Sequence, residues 1–87
     1  MNTIWKFPLA VTDEQSVIMP EGAEILCAEV QHEQLCLWAL VNPDAPKQRR
    51  IIEVFGTGHD MPDGCRKYIG TVQMMHGSLV WHVFENV

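Results

Sequence analysis

Glu24-Ile25-Leu26-Cys27-Ala28-Glu29-Val30-Gln31 and, after a polar reversal at His32-Glu33-Gln34, Leu35-Cys36-Leu37-Trp38-Ala39-Leu40-Val41 decide the fold. Apolar residues recur with a period of two in both runs, the pattern of an antiparallel hairpin rather than of a helix. If the turn holds an even number of residues, one face carries Leu26, Ala28 and Val30 with Leu35, Leu37, Ala39 and Val41. That face is wholly apolar and is the expected core. The other carries Ile25, Cys27 and Glu29 with Cys36, Trp38 and Leu40. It is too apolar for a solvated face and too mixed for a second core. A turn one residue longer or shorter exchanges the two faces, but both sides stay apolar.

The same rhythm extends outward in both directions. Thr3–Leu9 reads as a strand with Trp5, Phe7 and Leu9 on one side, and Pro8 places it at an edge or near a strand end. Gln15–Met19 is a short strand closed by Pro20-Glu21-Gly22. Beyond the hairpin, Asn42-Pro43-Asp44-Ala45-Pro46 is a rigid loop. Arg49–Phe55, Lys67–Met75 and Leu79–Phe84 complete the set, with Gly56–Gly64 as the longest irregular stretch and His76-Gly77 as the last hairpin turn. Thr12–Ile18 is the best helical candidate, and Pro20 cuts it off. The expectation is a single all-β domain over residues 1–87, a small antiparallel β-sandwich or partly open barrel of about seven short strands.

Composition bounds the function. With 87 residues the chain buries only about 60–65% of its unfolded surface, so cover for two-sided strands is scarce. Leu79, Trp81 and Val83 oppose Val80, His82 and Phe84 on the last strand, again apolar on both sides. Either a homo-oligomer hides one face, with Cys27, Cys36, Trp38, Leu40 and Trp81 as the candidate interface, or a loop covers a rolled sheet. Six basic against 11 acidic residues give a net charge of −5, which argues against a partner of duplex nucleic acid. No run approaches the ~20 apolar residues of a membrane span, and no secretory signal is visible. The three cysteines have no metal-type spacing and fit a reducing compartment. No cofactor and no metal are expected.

Three chemistries compete. Gly56-Thr57-Gly58-His59 lacks a following helix, so it is neither a P-loop nor a dinucleotide fingerprint. Such a loop can still aim backbone donors at an anion. Arg49 and Arg50, and Arg66 and Lys67, open the flanking strands, and Trp38 or Trp81 offers a stacking surface for a nucleotide-sized ligand. The plainer reading is that these cations solvate strand ends and the tryptophans fill the core. A catalytic reading rests only on Cys65 with His59 in one loop, where turn chemistry already explains Asp60, Pro62, Asp63 and Gly64. A protein-binding reading rests on the acidic charge and the surplus apolar face.

Several pieces occur together in a recognisable order: Thr3-Ile4-Trp5-Lys6-Phe7-Pro8-Leu9, Met19-Pro20-Glu21-Gly22-Ala23, Leu37-Trp38-Ala39-Leu40-Val41, Phe55-Gly56-Thr57-Gly58-His59, Tyr68-Ile69-Gly70-Thr71 and Leu79-Val80-Trp81-His82-Val83-Phe84-Glu85. Over nearly the whole chain they resemble a family of small bacteriophage and prophage proteins of unknown function. The resemblance carries no activity, cofactor or site residue. It implies a phage accessory protein in the bacterial host cytoplasm. By analogy, such a protein antagonises a host anti-phage defence by binding a host protein; the alternative is a sponge for an anionic nucleotide-type messenger.

Overall fold

A computed structural model describes residues 1–87. Seven strands follow in order: β1 (Thr3–Pro8), β2 (Glu14–Pro20), β3 (Glu24–Gln31), β4 (Gln34–Val41), β5 (Lys47–Gly56), β6 (Arg66–Met74) and β7 (Leu79–Asn86). There is no helix; Thr12–Ile18 is bend and strand. All pairings are antiparallel, in a three-stranded sheet β1-β4-β3 and a four-stranded sheet β2-β5-β7-β6. The sheets face each other in a slab whose principal extents are 39 × 31 × 16 Å.

The core lies between them because the period-2 pattern points one side of every strand inward. Leu35, Leu37, Ala39 and Val41 of β4 and Ala28 of β3 meet Val17 and Met19 of β2, Ile52 and Val54 of β5, Val72 of β6 and Val83 of β7. Trp5 and Phe7 close the side of β1. Each large side chain buried this way contributes about 1.5–3 kcal/mol.

The β3–β4 turn has two central residues, so β4 faces as its pattern requires. β3 departs from expectation. A bulge between Ile25 and Cys27 inserts Leu26 as an extra residue. Leu26, expected in the core, is 46% exposed, and Ile25 packs against the core in its place. The other hairpin turn holds His76-Gly77 as expected but is longer: Met75 leaves the strand and joins His76, Gly77 and Ser78 in a four-residue turn.

β3 and β6 lie at the sheet edges that approach each other. At Gly70 the two come into contact: a Cβ there would sit 3.6 Å from the Ala28 carbonyl oxygen and 3.7 Å from the Ala28 Cβ, ordinary contact distances. β6 carries its own bulge between Tyr68 and Gly70. No ladder forms across this seam, so the molecule is a sandwich pinched along one side and not a closed barrel. β1 and β2 remain open edges.

The 57–65 connection joins β5 to β6 across β7, over the outer side of the four-stranded sheet. Gly64 there lies against the Arg66 guanidinium, where a Cβ would be 3.7 Å from Nη1. Beneath are the buried Glu53 and Phe55. No helix is long and apolar enough to cross a membrane.

Candidate functional site

Two hairpin tips share one end of the sandwich. His32 and Glu33 have φ of 49° and 63°, and Met75 and His76 have 52° and 57°. In the two-residue turn His32-Glu33, paired left-handed residues match the twist of the strands they join, a turn usually given to Asn-Gly or Asp-Gly; in the four-residue turn 75–78 the left-handed run continues into Gly77 at +88°. For residues with a Cβ this conformation costs about 1–2 kcal/mol each. The second tip is tied down: Gly77 and Ser78 N–H donate to the Met74 and Met75 carbonyls at 3.1 Å, and Ser78 Oγ donates to the Met75 carbonyl at 2.8 Å.

Between the tips lies a cleft of about 800 Å³ lined by Val30, Glu33, Gln73, Met74, Met75, His76 and Gly77. It falls in the size range of ligand and peptide-side-chain pockets. Glu33 is its carboxylate, and no lysine or arginine lines it. Met75 is 69% exposed. Unbranched, polarisable methionine adapts to differently shaped apolar partners.

The anion-binding set expected from sequence is dispersed. Arg50 points into the sandwich, where Nη2 donates to Glu85 Oε1 at 2.9 Å, Nε donates to Glu85 Oε2, and Nη1 donates to the Ala23 carbonyl at 2.9 Å. The hydrogen bonds to Glu85, aided by its charge and opposed by burial, raise the Arg50 guanidinium above its ordinary value. Arg66 donates to Glu53 at 2.7 Å and stacks over Phe55, 5.3 Å from the ring centre. Both guanidinium groups are therefore held by carboxylates of the same chain. Arg49 and Lys67 remain exposed.

Gly56-Thr57-Gly58-His59 is a tight turn in which His59 N–H donates to the Gly56 carbonyl at 3.1 Å and Gly58 supplies φ of +86°. Arg49 stands seven residues down β5 from Gly56, about 23 Å at 3.3 Å per residue. The His59 ring lies on Gly56: a Cβ there would meet His59 Cε1 at 2.8 Å and Trp81 Cζ3 at 3.1 Å. The adjoining recess, which Trp81 and Ser78 also line, holds about 190 Å³. That is below the ~300 Å³ of the smallest usual ligand sites.

Thr57 is engaged on the outer sheet face. Its Oγ1 pairs with His82 Nε2 at 2.7 Å, while His82 Nδ1 pairs with Thr71 Oγ1 at 3.0 Å, and Thr71 Oγ1 with Tyr68 Oη at 2.6 Å. Hydroxyls donate or accept, so either tautomer of His82 is satisfied. Cys65 opens the far end of the same connection, where its carbonyl accepts from Val87 N–H at 3.1 Å. Its neighbour Arg66 is opposite Asn86, whereas Gly56 under His59 is opposite Trp81. The cysteine and histidine of the catalytic reading thus lie at opposite ends of β7. No three His, Cys, Asp or Glu side chains gather as a metal site.

The candidate interface divides. Cys27, Cys36, Trp38 and Leu40 share the outer face of the three-stranded sheet, since Cys27 is opposite Trp38 and Cys36 is opposite Glu29. Cys36 is itself fully buried. Trp81 lies elsewhere, on the inner face of the other sheet against the core, with its Nε1 buried and unpartnered.

A family model, Domain of unknown function (DUF7352), matches residues 1–87. The chain belongs to this family. Nothing among curated proteins or among solved structures matches it. In this DUF7352 chain the sequence reading missed Glu53 and Glu85 as partners of the arginines, and it missed the cleft. The available signal was Gln31-His32-Glu33-Gln34, a two-residue turn with no glycine or asparagine.

Proposed function

We propose that this DUF7352 protein is a non-enzymatic binding protein that blocks a host protein by gripping a basic, apolar segment in the cleft between its hairpin tips. The cleft carries the reading: methionines and Val30 offer an adaptable apolar lining, Glu33 offers the only formal charge, and the chain as a whole bears −5. Acidic charge across the approach speeds encounter with a basic partner and rejects acidic ones. The resemblance to bacteriophage proteins supplies the setting, an accessory factor acting against anti-phage defence in the bacterial cytoplasm. The anionic-ligand alternative has less support, because Arg50 and Arg66 already hold Glu85 and Glu53.

Affinity capture from bacterial lysate, run in parallel with wild-type, Glu33→Lys and Met75→Asp baits, tests it. A basic protein retained by the wild type and lost by both variants is the expected result. Recovery that ignores both substitutions, or no recovery above an empty resin, refutes the proposal. Asp tolerates the left-handed backbone of position 75, so a folding defect is not built into that variant.

A further inference from the structure

We infer that the outer face of the β1-β4-β3 sheet is a two-fold interface that pairs two copies of this chain, with the axis running along β4. It is a different surface from the cleft and does not depend on it. Down the middle of this face Trp38 and Leu40 stand half-buried. Around them Ile4 is 56% and the bulged Leu26 46% exposed, and Cys27 is partly exposed. The one long connection of the fold crosses the other sheet; this face has no such cover, and only Cys36 is enclosed, near where Lys6 reaches over β4 to Gln31. Contiguous apolar surface of this kind marks association sites.

The charges on the face say what the partner is. Register places Ile4 and Glu24 on either side of Leu40, Lys6 and Cys27 on either side of Trp38, and Pro8 and Glu29 on either side of Cys36. The cation is therefore on β1 and the carboxylates are on β3, with an apolar strip between. Lys6 bonds only the neutral Gln31, Nζ to Oε1 at 3.0 Å, and neither Glu24 nor Glu29 is in an ion pair. A two-fold axis along β4 lays β1 of each copy over β3 of the other. Each Lys6 then falls between the partner's Glu24 and Glu29, and the two Trp38 side chains meet near the axis. An axis across the strands would set Lys6 against Lys6 and glutamate against glutamate. Only the first arrangement is self-complementary, as an interface using one patch twice must be.

Light scattering across a concentration series, with three variants, tests the inference. The wild type is expected at twice the 9.9 kDa chain mass. Lys6→Glu makes the face wholly acidic, and Glu24→Lys with Glu29→Lys makes it wholly basic. Each should weaken self-association roughly tenfold or more, while their equimolar mixture forms a heterodimer. The triple variant, with all three charges exchanged, should regain the homodimer. A wild type of monomer mass at high micromolar concentration overturns the inference. So does a dimer that Lys6→Glu leaves unchanged, or a triple variant that fails to recover while its thermal unfolding matches wild type.

Discussion

Arg50 and Glu85 stand 35 positions apart in sequence, yet their side chains are 16% and 10% exposed and hold each other inside the sandwich. Desolvation makes such a pair a poor source of net stability, but removing one member strands the other charge. Glu85→Ala should therefore cost about 3 kcal/mol in urea unfolding, near the lower end of the usual range because some water still reaches the pair. Arg50→Met combined with Glu85→Leu should recover most of that loss. A double variant as unstable as the single one would mean that the Ala23 carbonyl contact, not the ion pair, fixes this corner. The pair is no pH switch through Arg50. A guanidinium held above its ordinary range contributes fully below that range and loses the contribution only as pH climbs through the still higher folded value, far above neutral. Sequence placed Arg50 at the start of a strand but gave no sign of its acceptor, because a contact of this range depends on which strands become neighbours.

At the scale of elements, the seam between β3 and β6 separates what period-2 reading reaches from what it misses. Alternation located all seven strands and the inward set Leu35, Leu37, Ala39 and Val41, because burial of one face is written residue by residue. It misplaced Leu26 and Ile25, because a bulge shifts the phase within a strand and is fixed by the neighbouring edge rather than by local pattern. Gly70 measures the spacing at that edge. Its Cβ site lies at ordinary contact distance from Ala28, so Gly70→Ala should leave stability within about 0.5 kcal/mol of wild type. Gly70→Val has no room for its branches against the β3 backbone, and should cost about 1–3 kcal/mol. Equal stability of the two variants by chemical denaturation would show that the seam yields, and that β3 and β6 are not held at the distance seen.

For the whole molecule, a slab of two small sheets leaves two broad outer surfaces and solves the problem twice. On the four-stranded side the crossing connection and Arg66 cover Glu53 and Phe55, while Ile18 and Tyr68 stay exposed. In the proposed dimer, pairing through Trp38 and Leu40 would cover the three-stranded side. If so, folding and association are linked, and the folded state gains from mass action. A tenfold rise in concentration above the dissociation constant adds about 1.4 kcal/mol per dimer, or about 0.7 kcal/mol per chain. At about 4–8 °C per kcal/mol for a domain of this size, the unfolding midpoint should rise about 3–6 °C per tenfold. Lys6→Glu should flatten that dependence without lowering the midpoint of the dilute protein, since the only polar bond Lys6 makes in a single chain is the exposed one to Gln31. Scanning calorimetry over two decades of concentration separates the cases: a wild-type midpoint that does not move means that one copy folds with its tryptophan face in water.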